Sequence, residues 1–488
     1  MMKQLNSLLT NVSHQLVLDG PEPGIEHLAI DSRDVTANSL FFALKGVSAD
    51  GHQFIGKAVQ AGAVAVMCSE LPAQTQPGIA YVLVEEPQVA MANIAAAFYD
   101  YPSSKLKLVG ITGTNGKTTS VTLLYDFFSG MGIKVGLIST VVYRIGDKKL
   151  SSTHTTPDVV RLNALMNEMV NEGCEYCFME VSSHAIHQGR IIGLDFDAAM
   201  FTNLTHDHLD YHGSFAEYLK VKKSFFDGLK KDALAIYNAD DRHGTVMVQN
   251  TRAKKVSYSL TNMADYRARM IEMGMHGMTL HIDGEEVHIR LVGHFNAYNL
   301  MGVYALLREW DFPKEEALTG MSRLKHVSGR FETIITPKGV KVIIDYAHTP
   351  DALKQVLDAI IKVNDGKGQI LTVVGAGGDR DREKRPVMGK IAIDRSSRVF
   401  FTSDNPRSEN PFSIIEDMKA HLIQKERGKT ITITDRAEAI KAALMLAQPA
   451  DIVLIAGKGH ETYQEIKGVR YHFDDREVVD ELIKDQLN

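Results

Sequence analysis

Residues 112–119, Thr-Gly-Thr-Asn-Gly-Lys-Thr-Thr, have the types and spacing of a phosphate-binding loop. Gly113 and Gly116 let the backbone approach an anion closely, and the free N–H groups at the start of a helix can bind its oxygens. Lys117 adds positive charge, and Thr118 supplies the hydroxyl that such loops direct at Mg²⁺. The first glycine of the usual triphosphate-binding pattern is absent. The stretch predicts nucleotide binding, and an ordinary strand-to-helix turn is the weaker alternative.

Two other polar stretches could act on the same ligand. Glu180 ends an apolar strand, where its carboxylate could reach a magnesium ion, although a capped strand end would look the same. Residues 203–213 contain three histidines and two aspartates. They could bind a transition metal, position phosphate oxygens bound to Mg²⁺, or form a simple polar loop. A dedicated zinc site is less expected, because the phosphate loop already supplies a reason for a hard cation with oxygen ligands.

Four apolar strands in the last third of the chain each run directly into a polar cluster. These clusters are residues 346–350, 376–380, 403–407 and 457–461. Because the carboxyl ends of parallel strands meet at one edge of a sheet, and open sheets bind ligands there, the four clusters should lie together. The pattern predicts a second binding edge, separate in sequence from the phosphate loop.

The elements that must position these groups alternate between strand and helix, which predicts an α/β fold with parallel sheets. A chain of 488 residues is too long for one core and suggests three domains. A Pro- and Ser-containing linker at 101–104 and a polar exit at 330–338 give the predicted domains 1–104, 105–335 and 336–488.

Composition excludes several classes of protein. The net charge of −6 gives no sign of a nucleic-acid-binding surface, and no segment has the apolar length of a membrane helix. The first residues lack the apolar region of a signal peptide, so a cytoplasmic location is expected. The three cysteines, Cys68, Cys174 and Cys177, are interpreted as thiols of the core in a reducing compartment.

Two stretches leave their role open when considered on their own. Asp31-Ser-Arg33 follows an apolar strand and could contact a ligand or form a turn with a salt bridge. The predicted helix at 214–228 carries Lys220, Lys222 and Lys223, and lysines on a helix usually face solvent. Spacing alone does not choose among the three.

Four motifs in a fixed order carry a family resemblance. They are Thr-Gly-Thr-Asn-Gly-Lys-Thr at 112–118, Glu-Val-Ser-Ser-His at 180–184, Asp-Tyr-Ala-His-Thr-Pro at 345–350 and Gly-Lys-Gly-His-Glu at 457–461. With them the chain resembles the Mur ligase family over its whole length. The resemblance implies a first domain that holds a UDP sugar, a central ATPase domain and a C-terminal Rossmann-like domain that carries an incoming amino acid.

Within the family, the chain is similar to members that add the third amino acid to the cell-wall precursor UDP-N-acetylmuramoyl-L-alanyl-D-glutamate. The resemblance implies an ATP-dependent amide ligation through an acyl phosphate, with meso-diaminopimelate as the amine. Alternatives are the same ligation with L-lysine, a ligase like folylpolyglutamate synthase, and a nucleotide-binding switch without catalysis. The implied partners are small molecules only, with no nucleic acid and no membrane, and the chain is expected to be a monomer.

The resemblance also implies roles for individual residues. Catalysis falls to Lys117, Glu180, His208 and Lys222. Lys222 matches a lysine carbamylated by CO₂, and this carbamate would hold Mg²⁺ together with Thr118, Glu180 and His208. The implied ATP contacts are Thr112, Gly113, Thr114, Asn115, Gly116, Lys117, Thr118, Asn299, Arg330 and Asp345. The implied contacts of the UDP-muramoyl dipeptide are Ser32, Val47, Ser48, Thr155, Thr156, Ser182, Gln188 and Arg190.

The implied diaminopimelate pocket has a physical rationale. Diaminopimelate carries one carboxylate more than lysine, and a guanidinium recognises a carboxylate through paired, charge-assisted hydrogen bonds. Arg407 is the residue to which the resemblance gives this contact, and Glu461 would face an ammonium group. The full implied set is Arg380, Asp404, Asn405, Pro406, Arg407, Gly457 and Glu461.

Overall fold

The computed structural model describes residues 2–46, 49–152 and 154–487. They form three main sheets of five, eleven and six strands, which follow one another along the chain, and two small two-stranded sheets. The predicted α/β class with three domains is confirmed. The third sheet begins at Glu332, four residues before the predicted boundary at 336, and the exact boundaries stay predictions. Val47 and Ser48, predicted to contact uridine, lie outside the described residues.

The first sheet belongs to the N-terminal part of the chain. Its strands and their neighbours are β1 (Lys3–Gln4), β2 (Gln15–Val17), β3 (Gly24–Ile25), β4 (His27–Ala29), β5 (Ser39–Ala43), β6 (Ala63–Cys68) and β7 (Ala80–Leu83). The helices are α1 (Leu5–Leu8), α2 (Ile55–Gln60) and α3 (Pro87–Phe98). The sheet order is β2-β7-β6-β5-β4, with only β2 antiparallel. The central strands are continuous apolar runs, as expected for a parallel sheet covered on both faces.

The predicted linker at 101–104 has local structure of its own. Pro102–Lys105 form a short 3-10 helix, and Tyr101 before it has φ 52°. Pro102 and Ser103 are buried, and the Ser103 hydroxyl accepts a hydrogen bond from the backbone N–H of Asp195 in the central part. The connection is therefore packed against the second sheet.

The central part has the eleven-stranded sheet. Its strands are β8 (Lys107–Thr112), β9 (Val135–Ile138), β10 (Val142–Ile145), β11 (Lys148–Ser151), β12 (Tyr176–Glu180), β13 (Ala198–Phe201), β14 (Leu234–Asn238), β15 (Lys254–Ser259), β16 (Tyr266–Gly274), β17 (Gly277–Ile282) and β18 (Glu285–Ile289). The helices are α4 (Lys117–Gly130), α5 (Val159–Asn171), α6 (Ser183–His187), α7 (Leu209–His212), α8 (Phe215–Asp227), α9 (Gly244–Met247), α10 (His294–Glu309) and α11 (Lys314–Arg323).

Strand order in this sheet places the functional loops at its middle. The order is β11-β10-β9-β12-β8-β13-β14-β15-β16-β17-β18, and the strands from β9 to β16 in that order are parallel. The strand β8, which leads into the phosphate loop, pairs with β12 and β13. Glu180 at the end of β12 and the polar loop after β13 therefore flank the phosphate loop at the carboxyl edge.

The third sheet contains the four strands predicted to share one edge. Its strands and the hairpin beside it are β19 (Glu332–Ile335), β20 (Lys341–Asp345), β21 (Ile370–Val374), β22 (Arg398–Phe401), β23 (Thr430–Thr432), β24 (Ile452–Ala456), β25 (Tyr463–Ile466) and β26 (Val469–His472). The helices are α12 (Pro350–Asn364), α13 (Lys384–Arg395), α14 (Pro411–Lys419), α15 (Gln424–Arg427), α16 (Arg436–Leu446) and α17 (Asp475–Leu487). The order β19-β20-β24-β21-β22-β23 makes β20, β24, β21 and β22 adjacent and parallel, so this prediction is confirmed.

Two sequence interpretations have a direct structural outcome. Cys68, Cys174 and Cys177 are free and buried, which confirms that they are core thiols. Burial raises the pKa of Cys68 to about 11. None of the helices in the described part of the chain has the length and apolar content to cross a bilayer.

A buried ion pair holds the C-terminal helix against the third sheet. Arg436 donates from Nε to Asp475 Oδ1 over 2.7 Å and from Nη2 to Asp475 Oδ2 over 2.8 Å, and both side chains are buried. Removing one partner leaves an unpaired buried charge, so Asp475→Asn is expected to lower the free energy of unfolding by about 3 kcal/mol. The measurement is chemical denaturation followed by circular dichroism.

The matched control for this pair is Asp480→Asn on the same helix. Asp480 Oδ2 lies 3.5 Å from Arg476 Nε, and both side chains are partly exposed to solvent, so loss of this pair should change the free energy of unfolding by less than ~0.5 kcal/mol. Equal stability of the two variants would contradict an anchoring role for the Arg436–Asp475 pair.

Candidate active site

The phosphate loop has the geometry that its sequence predicts. Strand β8 ends at Thr112 and α4 begins at Lys117, with Gly113 at φ +151° and Gly116 at φ +88°. Lys117 Nζ donates to the carbonyl oxygens of Gly113 over 2.9 Å and Thr114 over 2.8 Å, so its charge lies over the loop. Burial lowers the pKa of Lys117, while the negative charge of nearby Glu180 opposes that shift. The arrangement can bind and partly neutralise a polyphosphate.

Glu180 is held at the wall of the loop. Its side chain is almost fully buried, and its two oxygens accept hydrogen bonds from the backbone N–H (2.8 Å) and hydroxyl (3.2 Å) of Thr140. Thr118, the first threonine of α4, accepts a hydrogen bond at Oγ1 from Arg330 Nη2 over 2.9 Å. Arg330, near the end of the central part, is therefore hydrogen-bonded to the first turn of α4, directly after the phosphate loop.

Lys222 is the buried lysine of helix α8, with only 1% of its surface exposed. Its Nζ donates to Thr112 Oγ1 over 3.2 Å and to Gly113 O over 3.0 Å. Burial lowers the pKa of Lys222 well below its usual value, and the charge of Lys117 lowers it further. By contrast Lys220 is exposed, and Lys223 pairs with Asp227. The structure thus separates three lysines that spacing left equivalent.

His208 and Asp207 lie across from Lys222 in the polar loop after β13. His208 has φ 55°, and its Nε2 is 3.3 Å from Asp207 Oδ2. Burial lowers the pKa of His208, because the loss of hydration outweighs the attraction of Asp207 for the charged form. A neutral imidazole at this place can coordinate or accept a hydrogen bond.

The donor set near the loop suits Mg²⁺ better than a soft metal. Glu180 and Thr118 offer oxygen atoms, and Mg²⁺ keeps several waters while taking only one or two protein carboxylates. Among the described residues no three His, Cys, Asp or Glu side chains are grouped as metal ligands. Thr118, Glu180 and His208 are brought together around one cavity with Lys222. Their metal roles stay predictions.

Two cavities meet at the phosphate loop. The first has a volume of about 490 Å³ and lies between the second and third sheets, where Asn299, Arg330 and Asp345 contribute to its lining. Asp345 Oδ2 accepts from the N–H of Phe331 over 2.7 Å, and burial raises the pKa of Asp345 to about 6. Asn115 lies between the two cavities and donates to Asp351 Oδ2 over 3.1 Å. This cavity has room for the base and sugar of a nucleotide whose phosphates reach the loop.

The second cavity, of about 670 Å³, extends from the phosphate loop to the carboxyl edge of the third sheet. We call it the reaction chamber. Its lining from the central part includes Lys117, Thr155, Thr156, Glu180, Ser182, Arg190, His208 and Lys222. Its lining from the third part includes Arg380, Arg407 and Glu461. Residues that are far apart in sequence thus face one shared cavity.

The predicted amino-acid pocket divides into lining residues and residues behind them. Arg407 has φ 50° and donates from Nη1 to Gly378 O over 2.8 Å. Glu461 Oε2 accepts from Asn405 Nδ2 over 2.8 Å and from Lys458 Nζ over 3.0 Å. Burial and the charge of Asp404 raise the pKa of Glu461. Asp404, Asn405, Pro406 and Gly457 are buried behind the chamber and hold its wall.

Gly457 illustrates how that wall is built. It has φ +119°, and a Cβ atom placed on it would lie 2.6 Å from Asp404 Oδ2. Asn405 Oδ1 in turn accepts from Glu465 N over 2.9 Å, which joins the hairpin β25–β26 to the loop after β22. These residues fix the position of Arg407 and Glu461.

The predicted contacts of the nucleotide sugar are only partly brought together. Thr155, Thr156, Ser182 and Arg190 line the reaction chamber, and Arg190 Nη1 donates to Thr156 O over 2.6 Å. Gln188 lies behind them, where its Oε1 accepts from Arg190 Nε over 3.0 Å. Ser32 lines neither of the two cavities and is half-buried in the first part. Its contact with uridine stays a prediction.

The stretch around Ser32 shows one of its two predicted alternatives. Arg33 Nη2 donates to Asp31 Oδ2 over 2.5 Å, and the Arg33 backbone N–H donates to Asp31 Oδ1 over 2.9 Å. The guanidinium hydrogen bond lowers the pKa of Asp31 to about 2. This is the turn with a salt bridge.

Sequence reasoning missed several residues of the reaction chamber. His348, His460, Tyr463 and Arg470 all line it. The Arg470 guanidinium carbon lies 4.4 Å from the centre of the Tyr463 ring, which indicates a cation–π contact. His348 and His460 stand in motifs that were recognised, so proximity to named residues could have suggested them. Arg470 lies in a hairpin that carried no signal.

Comparisons with known proteins agree with this architecture. Three family models match successive parts of the chain: the Mur ligase family, catalytic domain at 24–99, the Mur ligase middle domain at 111–307, and the Mur ligase, glutamate ligase domain at 329–459. A protein of Parabacteroides distasonis named UDP-N-acetylmuramoyl-L-alanyl-D-glutamate--2,6-diaminopimelate ligase is 50% identical over 99% of both chains.

Solved structures give the same result. A structure of UDP-N-acetylmuramoyl-L-alanyl-D-glutamate--2,6-diaminopimelate ligase is 32% identical and covers 100% of both chains with a TM-score of 0.69. The folylpolyglutamate synthase of Mycobacterium tuberculosis shares the fold alone, with 15% identity, a TM-score of 0.64, and coverage of 76% of this chain and 93% of that one. The resemblance found in the sequence motifs is confirmed, and the chain belongs to the Mur ligase family.

Proposed function

We propose that this protein uses ATP to join meso-2,6-diaminopimelate to the D-glutamyl γ-carboxylate of UDP-N-acetylmuramoyl-L-alanyl-D-glutamate. The observation that carries the proposal is the reaction chamber, which places the phosphate loop and Arg407 around one space. The names of full-length relatives at about half identity support the choice of substrates. The proposal assigns residues 1–104 to the UDP sugar, 105–335 to ATP and 336–488 to the amino acid.

The proposed chemistry begins with activation of the carboxylate. Amide formation in water is unfavourable, so the γ-phosphoryl group of ATP is first transferred to the D-glutamyl carboxylate, giving an acyl phosphate and ADP. The amine of diaminopimelate then attacks the acyl carbon, and inorganic phosphate leaves the tetrahedral intermediate. The contribution of the protein is electrostatic, since Lys117 and the loop amides offset the repulsion between two anions. No side-chain nucleophile is required.

The proposed cofactors fit the residues present. Mg²⁺, when bound, would neutralise phosphate charge, and Thr118, Glu180 and His208 are the residues that would hold it. Carbamylation of Lys222 needs a neutral amine, and the lowered pKa of this buried side chain favours that form. A carbamate there would replace a buried cation by an oxygen ligand facing the loop.

Dependence on both substrates tests the ligase reaction. Phosphate release from ATP is expected only when the UDP-linked dipeptide and diaminopimelate are both present. Without the dipeptide there is no carboxylate to phosphorylate, and without diaminopimelate the acyl phosphate has no amine to accept its acyl group. The measurement is continuous phosphate detection with each substrate omitted in turn. ATP turnover that ignores both substrates would favour the alternative of a nucleotide-dependent switch.

Selection of the amine tests Arg407. Arg407→Ala is expected to lower kcat/KM for diaminopimelate by ~30-fold, because about 2 kcal/mol of charge-assisted hydrogen bonding is lost. Turnover of L-lysine, which lacks the second carboxylate, should stay within ~2-fold for the same reason. Competition between the two amines, read by mass spectrometry of the product, measures the ratio.

A control separates this effect from a general loss of positive charge. Arg398 is exposed at the amino end of β22, away from the carboxyl edge, and Arg398→Ala should leave the preference unchanged. A parent protein that joins lysine as readily as diaminopimelate would favour the lysine-adding alternative.

The proposal also covers the cellular location, the partners and the oligomeric state of the protein. A UDP-linked precursor and ATP are cytoplasmic metabolites, so the protein would act in the cytoplasm, with small molecules as its partners. The reaction chamber is built from one chain, and a monomer is sufficient for the reaction.

A further inference from the structure

A third cavity, of about 210 Å³, lies where the second and third sheets are joined. We call it the hinge groove. Its charged or titratable lining residues are His276, Arg290, His326, Arg330 and Lys341, and the described lining contains no Asp or Glu. Its apolar wall is formed by Met275, Leu291, Val292, Phe331 and Ile335. The groove is separate from the side of the third sheet that carries Arg407.

Two of the three Arg and Lys side chains that line the hinge groove come from different sheets. Arg290 follows β18 of the second sheet, and Lys341 begins β20 of the third. Neither side chain has a hydrogen-bond or ion-pair partner in the described part of the chain. Two like charges that face one groove repel each other, and a bound dianion would turn this repulsion into two attractions. The electrostatics therefore favour an anion between the two sheets.

The hinge groove also touches the segment that leads to the nucleotide loop. Arg330 lines it as well as both larger cavities, and its Nη2 donates to Thr118. The Nε atom of Arg330 is buried and has no hydrogen-bond partner. Phe331, in the groove wall, donates its N–H to Asp345 at the nucleotide cavity. A ligand in the groove would thus contact residues that are next to the ATP site.

We propose that the hinge groove binds a small dianion of the phosphate class, either inorganic phosphate or a phosphate monoester, between Arg290 and Lys341. The size of the groove suits one phosphoryl group, and the apolar wall could accept an organic substituent. Binding joins cations of the second and third sheets and so favours the domain arrangement in which they face each other. The site does not depend on ligation, and its failure would leave the proposed function untouched.

The test is titration with inorganic phosphate by isothermal calorimetry. Arg290→Gln combined with Lys341→Gln should weaken binding at least ~10-fold, because two charge-assisted contacts are lost. Phosphate bound at the phosphate loop is common to all variants, so a loss confined to this double variant belongs to the hinge groove. Phosphate should also raise the unfolding temperature of the parent more than that of the double variant.

The matched control is Arg269→Gln combined with Lys338→Gln. Both residues are exposed on β16 and on the β19–β20 turn, and neither lines the hinge groove. This control carries the same charge change and should bind phosphate within ~2-fold of the parent. Equal affinity in the parent and in the Arg290→Gln/Lys341→Gln variant would overturn the proposal, as would an equal loss in the control.

A charge-retaining variant guards against a simple folding defect. Arg290→Lys combined with Lys341→Arg should keep phosphate binding, and binding lost as fully as in the glutamine variant would overturn the proposal. A parallel titration with phenyl phosphate distinguishes a site for phosphate monoesters from a site for inorganic phosphate. Tighter binding than inorganic phosphate would assign the site to a monoester that uses the apolar wall, and equal or weaker binding would assign it to free phosphate.

Discussion

Lys222→Met is expected to reduce kcat by ~10³-fold, because the proposed mechanism places Lys222, as its carbamate, beside the phosphates that react, where the loss of one preorganised polar group has an effect of this size. The same change should leave the unfolding temperature equal to or above that of the parent. Lys222 is buried and has only a hydroxyl and a carbonyl as partners, so its ammonium form is costly to bury, whereas methionine fills the space without charge. Calorimetry and steady-state kinetics on the same preparation measure the two effects.

The control for this variant is a lysine on the same helix. Lys220 is exposed, and its Nζ atom lies 3.7 Å from Glu217 Oε1. Because this ion pair is at the surface, Lys220→Met should change kcat by less than ~2-fold. Mass spectrometry of the intact protein at neutral pH should show the added mass of one CO₂ on the parent and not on Lys222→Met. A parent without that mass and with full activity would contradict the proposed carbamate. A Lys222→Met variant that unfolds at a lower temperature than the parent would contradict the cost assigned to burying Lys222 without a carboxylate partner among the described residues.

How much of the fold and of the candidate site can be predicted from the sequence depends on whether the pattern lies within one short stretch of the chain. The phosphate loop, the strand before it and the helix after it follow from glycine positions and an apolar run, and the structure has a strand that ends at Thr112 and a helix that begins at Lys117. The four strands of the last third are also local patterns, and their adjacency follows from the parallel-sheet rule.

Features that depend on tertiary context were not predictable in this way. No strand is predicted from 266 to 289, where the structure has β16, β17 and β18. The same holds for the reaction chamber, since Arg470 enters it through a hairpin that the loop after β22 holds in place. The burial of Lys222 is likewise set by packing and not by spacing.

The family resemblance implied residue roles that physical reasoning alone would have left open. The structure brings some of these residues to the reaction chamber and leaves others away from it. It places Arg407 and Glu461 on one chamber with Lys117, as the implied mechanism requires. It places Ser32 away from both large cavities, in a turn held by Asp31 and Arg33. A motif can identify a residue type, but distance between domains decides which substrate that residue can reach.

Gly116→Ala is expected to lower kcat/KM for ATP by at least ~10²-fold. Gly116 has φ +88°, which costs an alanine ~1–2 kcal/mol. A Cβ atom there would also lie 2.3 Å from Asn299 Oδ1. Asn299 is only 4% exposed and donates to Asn296 Oδ1, so it has little room to move, and overpacking of this kind costs a further ~1–3 kcal/mol. The measurement is ATP titration at saturating concentrations of the other substrates.

The control shares the backbone strain without the clash. Gly132, after α4, has φ +80° and nothing within 4 Å of its added Cβ, so Gly132→Ala should lose ~1 kcal/mol of stability and leave kcat/KM for ATP within ~2-fold. If Gly116→Ala behaved like this control, close packing of the loop against Asn299 would not be what shapes the nucleotide site. If both variants lost activity, backbone strain near α4 would explain the loss. A loss confined to Gly116→Ala places the phosphates where the loop and α10 come closest.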